Sequence, residues 1–349
     1  MFNTRMVITY ILFVLGIFLL IKGADWVVDS SSSIAKHLGI STLVIGLTVV
    51  AFGTSLPELI VGIFSSLKGA GEIVFGNVIG ANIANILLIL GTTAILTKVN
   101  LKTETIWKQI PFALFAIFVI YIFTSGTLFG IQKLELGFTE GIILLSLLAI
   151  FLYSLIQISK SEPVRPKGIV LDFGLFTSIP KIFRSSRHKL IELKSDIREV
   201  DWKTYSKLVL GLAGIYLGGK WVVEGAVYAA VQLGLSQFLV SATIISIGTT
   251  LPEFVVCIFA AFRNKVDLAV GNAIGSVIFN ICGVLGIAAL ISPLTIPAGV
   301  YIDIAIMFFI TLMLFIFMFV GKKHSLTKKE GIVFVLIYLL YIVYLIARG

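Results

Sequence analysis

The sequence predicts an all-α polytopic membrane protein with ten transmembrane helices in two inverted five-helix repeats. Three observations predict this fold class. Apolar runs of about 20 residues, the length that spans a bilayer, fill most of the chain. The two halves repeat each other, and one long hydrophilic connection separates them. Hydrophobic residues make up 58% of the 349 residues and charged residues only 13%, too few charges for the surface of a soluble domain.

The apolar runs divide evenly around residues 160–203. This connection contains ten Lys/Arg, six Asp/Glu and three prolines, and no run that is long enough to span a bilayer. We expect a first five-helix repeat over 1–159, a loop over 160–203 and a second five-helix repeat over 204–349. The expected spans are 7–35, 41–66, 72–97, 106–125, 137–159, 204–232, 237–262, 267–291, 297–320 and 329–347.

The Lys/Arg distribution predicts the orientation, because cytoplasmic loops retain positive charge. With the N-terminus outside, 21 of the 27 basic residues lie inside, ten of them in the loop 160–203. We therefore expect a multi-pass protein of the cell membrane, embedded in the lipid bilayer, with this loop in the cytoplasm. The cytoplasmic Lys/Arg residues, which set the orientation, then account for the net charge of +9, and we expect no nucleic-acid partner.

An internal repeat relates the two halves. At a fixed offset of 195 residues, segment 53–58 (GTSLPE) matches 248–253 (GTTLPE), and 76–80 (GNVIG) matches 271–275 (GNAIG). Apolar bias produces chance matches of Leu, Ile and Val, but not of Gly, Pro, Glu and Asn at one offset. Because each half has an odd number of predicted spans, the second half enters the membrane upside down. This is the inverted-repeat plan of secondary transporters, whose sites lie near the midplane.

Each repeat carries one glutamate, Glu58 or Glu253, in the middle of its second predicted span. An ionisable side chain at that depth costs about 2.5–3.5 kcal/mol or more and usually serves an ion, a proton or a partner charge. An ion pair with Lys22 or Lys220 is the structural alternative. These lysines do not match at the repeat offset, whereas the glutamates do, which favours a functional role.

Helix-breaking residues precede both glutamates. Pro57 and Pro252 lack an N–H group, so each interrupts the helical hydrogen bonding of the residues before it. Freed carbonyl oxygens in a membrane need a partner, and a metal ion can be that partner. The candidate oxygen donors are the carbonyls near Ala51, Thr54, Ser246 and Thr249 and the hydroxyls of Thr54, Ser55, Thr249 and Thr250.

The third and eighth predicted spans contribute Asn85 and Asn280, either as ligands or as partners in an interhelical hydrogen bond. Together with the glutamates they form an all-oxygen site with two carboxylates, the kind of site that calcium prefers. Cys257 and Cys282 lie in apolar runs, where we expect small buried side chains. The three histidines lie in predicted loops, so nothing indicates a zinc or copper site.

These motifs resemble the calcium/cation antiporter superfamily, and within it the sodium/calcium exchangers with their prokaryotic members. The resemblance covers nearly the whole chain and includes both copies of the signature segments. It implies a secondary active antiporter, not an enzyme, that exchanges sodium for calcium by alternating access. The long first and sixth spans would slide across the other eight. Calcium and sodium would be the transported ions, with no cofactor and no obligate protein partner.

The resemblance also implies roles for individual residues. Glu58 and Glu253 would be the carboxylates that bind calcium or sodium in turn. Thr54 and Thr249 would offer carbonyl and hydroxyl oxygens, and Ser276 would be a sodium ligand. The remaining implied ligands are the backbone carbonyls of Ala51 and Ser246, which would serve the flanking sodium sites, and the amides of Asn85 and Asn280 at the centre.

Two positions depart from the family pattern. Ala81 stands in the first half where Ser276 stands in the second, and many relatives have Ser at both. This change weakens one sodium site or alters the stoichiometry. Asn280 stands where potassium-dependent relatives tend to have Asp, so we expect no dependence on potassium.

Other functions remain open from the sequence. A calcium/proton antiporter of the same superfamily is the first alternative, because buried carboxylates also carry protons. A cation channel is a different class, which would pass calcium without a counter-ion. A membrane enzyme is a third, although the sequence has no histidine-rich metal motif and no nucleophile–base pair.

Overall fold

The computed structural model describes residues 4–125, 135–160, 201–232, 246–320 and 324–348, which are almost entirely helical. The helices are α1 (Thr4–Leu38), α2 (Thr42–Thr54), α3 (Leu56–Leu67), α4 (Gly71–Leu96), α5 (Thr105–Ser125), α6 (Phe138–Lys160), α7 (Trp202–Gln232), α8 (Ser246–Thr249), α9 (Leu251–Phe262), α10 (Val266–Ile291), α11 (Val300–Phe317) and α12 (Lys328–Arg348). Most of the predicted cytoplasmic loop and the first part of the predicted seventh span lie outside the described residues.

Seven of the described helices are long and apolar enough to cross a membrane, and the number rises to eight if α2 and α3 form one span bent by 46°. The seven are α1, α4, α5, α6, α10, α11 and α12. Large apolar side chains such as Val14, Phe18 and Leu340 are exposed on the outer helices, as expected of surfaces that face lipid. The chain is therefore a multi-pass membrane protein.

Two short antiparallel strand pairs, which the sequence did not predict, join the two halves. Strand β1 (Val99–Asn100) pairs with β4 (Ser325–Leu326), and β2 (Glu135–Leu136) pairs with β3 (Leu294–Thr295). Each pair connects a loop of the first half to a loop of the second. Loops that pair must lie on the same face of the bundle, and the predicted topology also places both members of each pair on one side.

The centre of the bundle is formed by α4 and α10. In the apolar part of these helices, 72% and 83% of the residues are buried. A glycine contact lets α10 approach α2 closely. A Cβ atom on Gly271 would lie 2.5 Å from the carbonyl oxygen of Leu43, and one on Gly46 would lie 2.8 Å from that of Leu268. Such small-residue contacts replace the hydrophobic driving force that is absent between helices in lipid.

Helices α1 and α7 pack along each other, with Gly16 against Gly218 and Gly23 against Gly211. Both helices also carry ion pairs. Lys22 pairs with Asp25 at 3.7 Å. Asp25 also pairs with Arg263, which follows α9 and so ties α1 to the turn before α10. Lys220 pairs with Glu224 on α7, at 3.9 Å. The two lysines are therefore engaged with acids of their own helices.

The glycine contact between α2 and α10 yields a prediction for Gly271→Ala. The added methyl group has to displace the backbone of α2, so we expect a loss of about 1–3 kcal/mol of stability, typical of overpacking. Thermal unfolding of the purified protein in detergent measures it. Gly76→Ala is the matched control, because Gly76 occupies the same place in the repeat and no described atom lies within 4 Å of its Cβ position. Equal destabilisation by both changes would contradict this packing.

Candidate cation site

Two broken helices position the glutamates. Helix α2 ends at Thr54 and α3 begins at Leu56, with Ser55 between them at φ −84° and ψ 10°. Thr250 occupies the same position between α8 and α9, at φ −87° and ψ 0°. A proline at the second residue of α3 and of α9 needs no N–H partner there. The breaks therefore place each glutamate in the first turn of a new helix, in the interior of the protein.

Both glutamates are fully buried, with exposed fractions of 0%. One oxygen of Glu253 lies in a hydroxyl cluster that spans the two halves. The Ser55 hydroxyl donates to Glu253 Oε1 at 2.8 Å, and Ser276 Oγ lies 3.0 Å from Ser55 Oγ and 3.4 Å from the same carboxylate oxygen. The structure thus brings together three of the predicted site residues, from α9, α10 and the break after α2.

Glu58 has different surroundings, although it is the repeat counterpart of Glu253. Among the described residues, neither of its carboxylate oxygens has a hydrogen-bond partner. The position that corresponds to Ser276 is Ala81, a buried residue without a hydroxyl group. The two carboxyl groups interact electrostatically. One hydroxyl of the other half, that of Thr249, lies near Glu58, whereas those of Ser55, Thr54 and Ser276 lie near Glu253.

Asn272 links Thr54 to the backbone of Glu253. The Thr54 hydroxyl donates to Asn272 Oδ1 at 3.0 Å, and Asn272 Nδ2 donates to the carbonyl oxygen of Glu253 at 3.4 Å. Thr54 Oγ1 also lies 3.3 Å from the carbonyl oxygen of Ala51, which accepts from the Ser55 N–H at 3.0 Å. In this structure the Ala51 carbonyl therefore has hydrogen-bond partners.

Asn77 makes the equivalent link in the other direction. The Thr249 hydroxyl donates to Asn77 Oδ1 at 3.2 Å, and Asn77 Nδ2 donates to the carbonyl oxygen of Glu58 at 3.4 Å. The sequence analysis did not include Asn77 or Asn272 among the site residues. Their signal was available, because both lie in the repeated GNxIG segment, one residue after its first glycine.

The amides of Asn85 and Asn280 are also fully buried, on α4 and α10. Asn280 Nδ2 donates to Asn82 Oδ1 at 3.1 Å, whereas its own Oδ1 has no partner among the described residues. Neither side-chain atom of Asn85 has one there either. Asn82 is a third residue that the sequence analysis missed. Two further residues of the predicted site belong to the second half: Thr250 is buried, and Ser246 is the first residue of α8.

The unpaired oxygens define what the site can bind. They belong to Glu58, Glu253, Asn85 and Asn280, and each such buried oxygen is costly unless it has a partner. In the described ranges no group of three or more His, Cys, Asp or Glu side chains is close enough to hold a metal ion. Two buried carboxylates with neutral amide oxygens are the kind of donors that hard cations prefer.

Comparison with known proteins identifies the family of this chain. The sequence model of the sodium/calcium exchanger protein family matches residues 8–157 and 204–347. The chain belongs to the sodium/calcium exchanger family. The family consists of membrane antiporters rather than enzymes.

Relatives of the exchanger family match almost the whole chain. The sodium/calcium exchanger MaX1 of Methanosarcina acetivorans is 31% identical, and the match covers 97% of this chain and 98% of the relative. The putative antiporter CaxA of Alkalimonas amylolytica is 33% identical, with 96% and 98% covered. A solved structure of the sodium-calcium exchanger NCX_Mj is 29% identical, with a TM-score of 0.78 and coverage of 97% and 99%. The similarity to the exchanger fold therefore extends over almost the whole chain.

The hydroxyl cluster yields a prediction for Ser276→Ala. This change removes a hydroxyl from the surroundings of Glu253 Oε1, and a hydrogen bond to a charged group is worth about 1.5–3 kcal/mol. We expect the half-saturating concentration of the transported cation to rise about tenfold or more, measured as ion uptake into liposomes.

Ser66→Ala is the matched control for this prediction. The Ser66 hydroxyl is equally buried and donates to the carbonyl oxygen of Ala288 at 2.6 Å, outside the glutamate site. We expect this variant to be less stable but to keep the half-saturating concentration of the wild type. A similar rise in both variants would show that Ser276 acts on stability alone.

Proposed function

We propose that this chain exchanges sodium for calcium across the cell membrane by alternating access. The observation that carries the proposal is a pair of fully buried, interacting carboxylates, Glu58 and Glu253, one from each half, which retain oxygens without a hydrogen-bond partner among the described residues. The full proposed ligand set is Glu58, Glu253, Thr54, Thr249, Asn85, Asn280, Ser276, Ala51, Ser246, Ser55 and Thr250.

Competition for the same oxygens explains the exchange. Two carboxylates neutralise one calcium ion, and sodium ions occupy the same oxygens and their neighbours when calcium leaves. The empty site would carry two uncompensated charges through the membrane interior, which is costly. Only loaded forms then change access. If the sodium-loaded and calcium-loaded forms differ in charge, transport depends on the membrane potential. Moving one net charge across the membrane changes the free energy by about 2.3 kcal/mol per 100 mV.

The inverted repeat supplies the two access states in this proposal. We propose ten spans in two inverted halves, 1–159 and 204–349, in which α1 and α7 slide across the rest of the bundle. The hydrogen bonds of Asn77 and Asn272 support the repeat, since each makes the same pair of contacts at an offset of 195 residues. The strand pairs also support it, since β1 pairs with β4 of the second half, and β3, which lies 195 residues after β1, pairs with β2 of the first half.

A calcium/proton antiporter is the second candidate. Ala81 favours it, because the side of the site near Glu58 lacks the hydroxyl that Ser276 provides near Glu253. A carboxylate without such a donor is easier to protonate, and a proton can then replace sodium as the counter-ion. The hydroxyl-rich surroundings of Glu253 favour sodium.

The deciding experiment uses the purified protein in liposomes loaded with sodium and diluted into sodium-free buffer. We expect uptake of radioactive calcium, because outward sodium movement drives it. A parallel set carries a pH gradient and no sodium. Glu253→Gln removes one of the two carboxylates, and we expect it to abolish uptake.

Each other outcome has a distinct meaning. Uptake driven only by the pH gradient would make the chain a calcium/proton antiporter, and Ala81→Ser would then test whether one hydroxyl restores sodium coupling. Uptake without either driver, still lost in Glu253→Gln, would indicate a channel. Uptake that persists in Glu253→Gln would overturn the proposed site.

The proposed orientation places the N-terminus outside and the loop 160–203 in the cytoplasm. Glu135→Cys and Ser185→Cys test it, because Glu135 is exposed in β2 and Ser185 lies in the loop sequence. We expect a membrane-impermeant maleimide to label Glu135→Cys on intact cells and Ser185→Cys only after permeabilisation. The native cysteines, Cys257 and Cys282, are buried and give a low background. The reverse labelling pattern would invert the proposed topology.

A further inference from the structure

A chain of amide hydrogen bonds crosses the centre between α4 and α10. Asn82 Nδ2 donates to the backbone carbonyl oxygen of Val277 at 3.3 Å. Asn280 Nδ2 in turn donates to Asn82 Oδ1 at 3.1 Å. The two asparagines are fully buried and Val277 is 1% exposed, so water does not compete for these bonds.

The backbone carbonyl determines the direction of the whole chain. A carbonyl oxygen only accepts hydrogen bonds, so Asn82 has to present its NH₂ group to Val277. Its own oxygen then faces Asn280, which has to respond with its NH₂ group. The oxygen of Asn280 is left over, and it has no partner among the described residues. The opposite orientation of Asn280 would bring two amide oxygens together, which is unfavourable.

We propose that Asn82 is a positioning residue, which holds the Asn280 amide so that its oxygen, and not its NH₂ group, is presented to the transported cation. This inference rests on the proposed function, in which Asn280 is a ligand. Asn82 itself does not contact the ion. A ligand that is already oriented loses less conformational freedom when the ion binds, so the site binds more tightly.

The other half does not contain this arrangement. At the repeat offset Asn280 corresponds to Asn85, and Asn82 corresponds to Val277, whose side chain has no hydrogen-bonding group. In the described part of the chain both amide atoms of Asn85 lack partners, so nothing there determines which of them faces the centre. Hydrogen bonds therefore fix the orientation of the Asn280 amide, whereas none among the described residues fixes that of Asn85.

The test is a double-mutant cycle on calcium uptake in liposomes. Partners that orient a metal ligand typically contribute 10–100-fold to affinity. We expect Asn82→Leu to raise the half-saturating calcium concentration about tenfold, with a maximal rate within about twofold of the wild type. In the Asn280→Ala background, which has no amide to orient, we expect Asn82→Leu to change this concentration less than about twofold.

A purely structural role gives a different pattern. Asn82→Leu would then raise the half-saturating calcium concentration equally in the wild-type and Asn280→Ala backgrounds. Alternatively, it would lower stability and leave the half-saturating calcium concentration unchanged, as expected for Ser66→Ala. Either result would overturn the inference. If Asn82→Leu does not fold, Asn82→Ala replaces it in the same cycle, because it also removes the acceptor for Asn280.

Failure of the inference is distinguishable from failure of the proposed function. The double-mutant cycle is measured with whichever ion gradient, sodium or proton, drives calcium uptake in the wild type. Loss of sodium coupling would overturn the proposed exchange reaction but leave the comparison of the two backgrounds intact. Equal effects in the two backgrounds would overturn the role of Asn82 but leave the exchange reaction intact.

Discussion

The burial of two carboxylates in the middle of apolar helices is the constraint on which the rest of the structure depends. Each buried charge costs several kcal/mol unless a partner compensates it. The lysines that could have paired with Glu58 and Glu253 are bound to acids of their own helices, Lys22 to Asp25 and Lys220 to Glu224. In the proposed transport cycle this compensation comes from a bound cation, or from a proton in the alternative mechanism.

The same constraint explains why the helices are broken at these points. A continuous helix satisfies all of its own carbonyls and leaves the interior without polar groups for an ion. The breaks at Ser55 and Thr250 end one helix and begin another within the protein, and Asn77 and Asn272 donate to the backbone carbonyls of the two glutamates. Each asparagine also accepts a hydrogen bond from a threonine of the opposite half, so the contacts beside the breaks also hold the halves together.

The repeated segments made the central residues predictable, and the limits of that prediction are physical. A fixed offset identified Glu58 with Glu253 because apolar bias does not repeat glycine, proline and glutamate in the same order at one spacing. The roles of Asn77, Asn272 and Asn82 depend on how α4 and α10 cross and on which carbonyl lies opposite each amide, and a single sequence contains no direct signal for either. The two-residue strands were missed because so short a segment has no periodicity.

The differences between the halves matter as much as the repeat. Hydroxyls support Glu253 and an anchored amide supports Asn280, whereas Glu58 and Asn85 have no partner among the described residues. If the halves exchange conformations during transport, the backbone can be nearly symmetric while the ion sites are not. In the proposed cycle, unequal support of this kind would give the two access states different ion affinities without any difference in fold.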